Sequence, residues 1–232
     1  MRMVTTATPQ GAPANFTLEQ WIEFGLKNNI DDDQIYSFLS PPLPANSISR
    51  WLARIDRIEK AKRPKGTAAA AWGGKKNKMK GHAFEAMMRV ILRSVPSFTV
   101  WKNVTTTTNE IDLLVKVGLA IQVSPIIRQW GSHFLCECKL VKEGINATWV
   151  GKLNSVLELH ASEVGVLFSS HGAPKGKVKT QIHMHAFKTP PRVIVCISLD
   201  ELKECENGKN FLRLISTRYV QTKSGAASLI TQ

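Results

Sequence analysis

FLCECKL, residues 134 to 140, has the length and apolar content of a buried strand, yet it places a glutamate and a lysine two positions apart. Successive strand side chains point to opposite faces, so Leu135, Glu137 and Lys139 share one face and Phe134, Cys136, Cys138 and Leu140 share the other. The second set is wholly apolar. An ion pair sunk into a sheet regains by mutual attraction only part of the hydration it gives up. The two charges are therefore expected to serve chemistry rather than folding.

Working upstream, NEIDLLVKV (109 to 117) reads as another strand, with Glu110 and Asp112 on one of its faces. If the two strands are neighbours, Asp112 and Glu137 converge at a strand end beside Lys139. Two carboxylates and a main-chain carbonyl, here that of Cys138, make a hard oxygen site of the kind Mg²⁺ prefers, with Mn²⁺ as a substitute. Such an ion offsets charge on a phosphoryl group and activates a water, while an ammonium orients the nucleophile or stabilises developing charge.

The pattern around these strands alternates. GHAFEAMMRVILRSV (81 to 95) carries Phe84, Met87, Met88, Ile91 and Leu92 at helical spacing, and Pro96 ends it. A strand is expected near 98 to 104, and IQVSPII with WGSHF is expected to return through a hairpin to FLCECKL. Then follow a helix over 147 to 161, a buried strand over 163 to 170, a basic helix over 175 to 187 and a strand over 192 to 198. This alternation predicts an α/β fold with a mixed sheet covered on both faces.

Ahead of residue 80 the chain reads differently. Residues 1 to 15 have no periodicity and are expected to form a disordered tail. Thr17 with Gln20 has capping-box spacing and opens a helix to about Asn29, a second short helix spans Asp33 to Leu39, and a third starts at Asn46. The third sets Ile48, Trp51, Leu52, Ile55 and Ile58 on one stripe and Arg50, Arg54 and Arg57 opposite. Residues 16 to 62 thus form a small helical domain. It is either a helix-turn-helix-like reader with a basic face or a plain interaction bundle with a solvated one, and the turn holding three prolines is long for the former. Residues 63 to 80, with Lys75, Lys76, Lys78 and Lys80, read as a basic linker to a second domain over 81 to 232.

Charge narrows the partners. The formal net charge is +13, from 31 basic and 18 acidic residues, and a polyanion, most simply nucleic acid, suits such an excess. No helix has the broad apolar face of a membrane anchor, so no membrane partner is expected. The first residues lack the apolar stretch of a secretion signal, and four cysteines without a framework fit a reducing compartment; the cytoplasm is the expected location.

The order of a helix bearing GHAFE, then EID, then ECK resembles the PD-(D/E)XK nuclease superfamily. EIDLLV followed by FLCECK is most similar to the Mrr-like restriction endonucleases and the archaeal Holliday-junction resolvases. The likeness spans roughly residues 81 to 200. It implies a restriction-endonuclease-like mixed central sheet flanked by helices, with Asp112, Glu137 and Lys139 as the catalytic core and Glu85 as an accessory acid; Glu110 is a further candidate. The implied activity is a Mg²⁺-dependent endonuclease acting on DNA, of restriction or phage-defence type. A resolvase-like nuclease and a non-catalytic DNA-binding module on the same fold are the alternatives. Cutting both strands of a duplex would call for a homodimer. Two features depart from the pattern: Ile111 precedes the aspartate, and 25 positions separate Asp112 from Glu137.

Other groups read as less specific. Cys136 and Cys138 belong to an apolar strand face and are expected to be buried thiols rather than zinc ligands. His183 and His185 do not share a helix face. His82 is a helix-start residue, either at the surface or touching phosphate. HGAPKGKVK misses the spacing of a phosphate loop, but Lys175, Lys177 and Lys179 at a helix start are candidates for the nucleic-acid backbone. Trp72, Trp101, Trp130 and Trp149 are read as packing residues in preference to base-stacking ones.

Overall fold

The computed structural model describes residues 20, 27, 36, 37, 39–105, 110–118, 124–140, 144–172 and 174–225. The expected tail and most of the first helix of the N-terminal segment lie outside these residues, as does part of the second. In chain order the elements are α1 (Ser47–Lys60), α2 (Ala69–Arg93), β1 (Phe98–Thr105), β2 (Glu110–Val117), α3 (Pro125–Arg128) and β3 (His133–Lys139). They continue with α4 (Ala147–Leu159), β4 (Val164–Ser169), α5 (Gly176–Ala186), β5 (Val193–Ser198), α6 (Leu199–Glu206) and α7 (Phe211–Ser224).

The five strands form one sheet in the order β1-β2-β3-β4-β5. β1, β2 and β3 pair antiparallel, whereas β3, β4 and β5 pair parallel. Helices flank this mixed sheet, as the alternating pattern predicts. α2 packs on β1, β2 and β3, and α7 and α6 pack on β5, while α4 lies on β4 and α5 on β5. Each face has its own apolar core. Phe84, Met87 and Met88 of α2 meet Leu113, Phe134 and Cys136 on one side. Val150, Leu153 and Leu157 of α4 meet Leu135 and Leu167 on the other. The alternation read from FLCECKL thus sorts its side chains between two cores.

The basic linker expected over 63 to 80 needs correction. A single helix runs from Ala69 through residue 80 to Arg93, because AAAAW supplies strong helix formers and nothing between it and Phe84 is a proline. His82 is accordingly mid-helix and not at a helix start. Two of the linker lysines tie α2 to α1: Lys76 Nζ donates to the Glu59 carbonyl at 2.6 Å and Lys80 Nζ to Glu59 Oε2 at 2.5 Å. Lys75 and Lys78 are exposed.

The N-terminal helix α1 starts where expected and buries Ile48 completely, with Trp51, Leu52 and Ile55 packed partly against the same core as α2. Its free amides are satisfied from the far end of the chain. The Glu206 carboxylate accepts from Ile48 N at 2.9 Å and Ser49 N at 3.2 Å, a helix N-terminus capped by an anion. Asn210 Nδ2 donates to the carbonyls of Tyr36 and Ser40. These contacts fasten the described N-terminal residues to α6 and α7.

The hairpin expected through VSPIIRQW takes another form in its described part. Ser124 caps the one-turn helix α3, with Pro125 at its start, and the turn delivers Trp130 into the core, edge-on to Phe134 at 5.7 Å. Proline has no N–H to give a strand ladder but is well placed in a first helical turn.

Candidate active site

β2 and β3 pair in register from Lys116↔His133 to Leu113↔Cys136. Beyond Leu113 the ladder stops, and there the two strands' acids meet. Asp112 Oδ2 accepts a hydrogen bond from the Cys138 amide at 2.7 Å, taking the place of a ladder carbonyl. Glu137, only 6% exposed, follows the alternation onto the face of Leu135. Lys139 Nζ lies 2.5 Å from Glu137 Oε1.

The electrostatics show that these groups share one field. Burial, and then the Glu137 charge, push the Asp112 carboxyl up to about 6, with Glu85 adding to the rise; the Cys138 amide and Lys139 oppose it. Burial works against the Lys139 charge, but its hydrogen bond to Glu137 and the charges of Glu137 and Asp112 outweigh that, and its pKa is raised. Glu85 reaches the field from α2, where its Oε2 lies 3.3 Å from Nδ1 of exposed His82. Asp112, Glu137 and Lys139 are thus close together, and Glu85 stands near enough to Asp112 for its charge to be felt there. Glu110 is not held with them: it is exposed, opposite Thr105 at the start of β2.

A second ammonium enters from the helix over the other face. Lys152 Nζ lies 3.3 Å from Glu137 Oε1. Its position depends on a glycine: a Cβ on Gly165 of β4 would come within 2.9 Å of Leu157 Cδ1 and 3.1 Å of Leu153 Cδ2, so the bare backbone lets α4 lie flat on the sheet. Asn146 fixes the helix start, its side chain accepting from Trp149 N. Sequence reasoning missed Lys152. Its signal was a lysine on the helix following ECK, but periodicity does not tell which sheet residue a helix will cover.

A second basic set was also missed. A cavity of about 500 Å³ on the α2 side is lined by His82, Glu85, Arg89, Arg93 and Lys102, among others. Glu85, Arg89 and Arg93 recur every four residues and therefore stand in one row along α2. Arg89 Nε is buried with no hydrogen-bond partner among the described residues.

The other basic candidates stand apart from this constellation. Arg50, Arg54 and Arg57 are exposed on α1, opposite its buried stripe, and Arg54 lies over the Trp51 ring at 5.2 Å. Lys175 is the N-cap of α5, and Lys177 and Lys179 are exposed in its first turns. The Cys138 thiol faces the core shared with α2, and burial pushes its pKa well above the usual range. It is a core group, as expected.

Among the described residues, no three side chains of His, Cys, Asp or Glu group closely enough to hold a metal ion by themselves. The donor set still suits a hard cation. Asp112 commits Oδ2 to the Cys138 amide and Glu137 commits Oε1 to two lysines, while Oδ1 and Oε2 have no hydrogen-bond or ion-pair partner among the described residues. A carboxylate whose proton affinity is raised by burial and by a neighbouring carboxylate, as that of Asp112 is, is a group a divalent ion relieves. Mg²⁺ takes one or two carboxylates and fills its shell from water and phosphate.

No protein-family model matches the chain, and no curated protein matches it. Among solved structures, that of metal-depleted Ecl18kI in complex with uncleaved, modified DNA aligns over 92% of this chain and 66% of its own, with 11% identity and a TM-score of 0.37. This chain therefore spans just under two thirds of that one. A likeness of this degree assigns no role to any residue. Among the described residues, no helix is long and apolar enough to cross a membrane.

Proposed function

We propose that this chain is a divalent-cation-dependent endonuclease that hydrolyses DNA phosphodiester bonds, of the restriction or defence type that its motif resembles. The observation that carries the reading is the meeting of Asp112, Glu137 and Lys139 where β2 and β3 part. Folding alone gives no reason to bury Glu137 there.

Asp112 Oδ1 and Glu137 Oε2, with the Cys138 carbonyl, are the groups that would hold Mg²⁺ or Mn²⁺. When bound, the ion supplies charge neutralisation at phosphorus and an acidified water. The remaining work belongs to the chain. The Cys138 amide fixes the Asp112 carboxylate by one oxygen, so the other keeps a set direction. Lys139, half-shielded and anchored on Glu137, presents an ammonium beside the carboxylate pair, where it orients the attacking water or offsets charge gained by the phosphoryl oxygens. Lys152 holds the same Glu137 oxygen from the helix side, so that Glu137 stays aligned. Glu85 contributes a third negative charge at the α2 side, steadied by His82. Arg89, Arg93 and Lys102 continue from Glu85 as a phosphate track for the strand being cut. Severing both strands of a duplex takes two copies, which makes a homodimer part of the proposal.

The test is cleavage of linear, supercoiled and four-way-junction DNA with Mg²⁺, Mn²⁺ or EDTA, alongside Asp112→Asn and Lys139→Met. Cation-dependent cleavage lost in both variants is the expected result. Binding without cleavage on every substrate would leave a non-enzymatic DNA-binding module. A strong preference for the junction would move the assignment to a resolvase.

A further inference from the structure

The sheet face that carries Glu137 is covered unevenly. α4 and α5 pack on β4 and β5, while toward β1 the structure holds a cavity of about 350 Å³. Its lining combines the apolar side chains of Trp101, Ile111, Leu114 and Leu135 with Lys116, His133 and His160, and includes no acid. Trp101 is 44% exposed even though it stands opposite Leu114 across the β1–β2 ladder. His160 Nε2 is buried with no hydrogen-bond partner among the described residues. An exposed indole beside an apolar bed leaves one site on this face uncovered.

The cavity also has a fixed relation to the carboxylate pair. Lys116, Leu114 and Asp112 succeed one another at alternate positions of β2, and His133, Leu135 and Glu137 do so on β3. At about 3.4 Å per residue, Leu114 and Leu135 lie roughly 7 Å along the sheet from the two acids. A nucleotide whose phosphate sits at Asp112 and Glu137 can reach that far with its base.

We propose that this cavity receives one unstacked nucleobase of the bound nucleic-acid strand, with Trp101 against its ring and the apolar bed of Leu114 and Leu135 beneath it. The proposal rests on the phosphodiesterase reading and adds a base subsite to it. The lining suits this occupant. Every base offers a π-face to an aromatic side chain, while the attached backbone is an anion that Lys116 complements and that no lining carboxylate repels. The volume lies at the small end of ligand pockets, enough for one ring system and its sugar.

The experiment compares two strands of about 12 nucleotides, an oligothymidine and an abasic oligomer with the same phosphates, binding to the full chain in EDTA by fluorescence anisotropy. The wild type should hold the thymidine strand about tenfold or more tighter than the abasic strand. Trp101→Ala should erase that ratio while leaving abasic binding unchanged, and Trp101→Phe should restore part of it. Thermal melting of each variant confirms that a lost ratio is not a lost fold. A ratio unaffected by Trp101→Ala, or equal weakening of both strands, would overturn the base subsite. Because cleavage plays no part in this readout, a base preference that depends on Trp101 in a protein that cuts nothing would sink the nuclease reading and leave the subsite standing. Cleavage without such a preference would do the reverse.

Discussion

β3 and β4 lie side by side, parallel and in register, with Glu137 opposite Leu167 and Lys139 opposite Ser169. Both strands are almost wholly buried, and both are sandwiched between the same two apolar cores. At one depth on one face, then, one strand carries an ion and its neighbour a leucine. The sheet accepts an apolar side chain there without difficulty. Glu137 therefore costs the fold something that Leu167 does not, and the cost is kept down by two ammonium groups that themselves reach water.

The sharpest way to break this comparison is to exchange the two side chains. Leu167→Glu should destabilise the protein by about 3–5 kcal/mol, because it buries a carboxylate with no arranged partner. Glu137→Leu should change stability by less than about 1 kcal/mol, since Lys139 and Lys152 can extend their heads to solvent. Urea unfolding measures both, and equal losses would show that Glu137 is placed for stability after all.

Next in size is the effect on catalysis. Asp112→Asn, Glu137→Gln and Lys139→Met should each lower Mg²⁺-dependent cleavage by about 10²–10³-fold with DNA binding in EDTA retained, whereas Ser169→Ala, opposite Lys139 on β4, should leave the rate within a few-fold. Gel-based cleavage rates decide this.

Stability against pH probes the same contrast without a substrate. The Asp112 carboxyl titrates at about 6 in the folded chain, against an ordinary 3.8. The folded protein thus holds that proton more tightly than the unfolded chain does. The group costs stability above pH 6, and the cost fades as the pH falls toward 4. In EDTA, Asp112→Asn should therefore be more stable than wild type at pH 7 by about 3 kcal/mol and close to it near pH 4. Mg²⁺ at about 100 times its Kd should stabilise the wild type by roughly 2.7 kcal/mol and the variant hardly at all. Chemical unfolding at several pH values and melting with and without Mg²⁺ report the two effects.

The smallest expected change is at Lys152, which is half-exposed. Lys152→Met should slow cleavage about tenfold, as the loss of an outer-shell partner does, and Lys152→Arg should recover most of it.

Much of this was readable in FLCECKL and NEIDLL. Alternation assigns Glu137 and Lys139 to one face and the cysteines to the other, and both assignments follow from the two-residue period of any strand. The acidic helix was legible from Phe84, Met87 and Met88, which also fixed how Glu85 sits relative to them. The continuous run of α2 was misjudged because glycines and lysines at 73 to 81 look like a linker, while helix propensity and the clamp from Glu59 outweigh them. Lys152 and the row of Arg89 and Arg93 stayed hidden for a different reason: each is an ordinary surface-pattern residue until its helix is laid against a particular strand.

The amino-acid order by itself determined which side chains share a face and the type of most elements in the sheet region, since these depend on periods of two and of 3.6 residues along a single element. The tertiary structure alone decided that β2 and β3 part at Leu113, that Asp112 takes over the freed Cys138 amide, and that Gly165 lets α4 bring Lys152 to Glu137. These contacts join residues up to 26 positions apart, and their geometry is set by packing between elements, which no local period records.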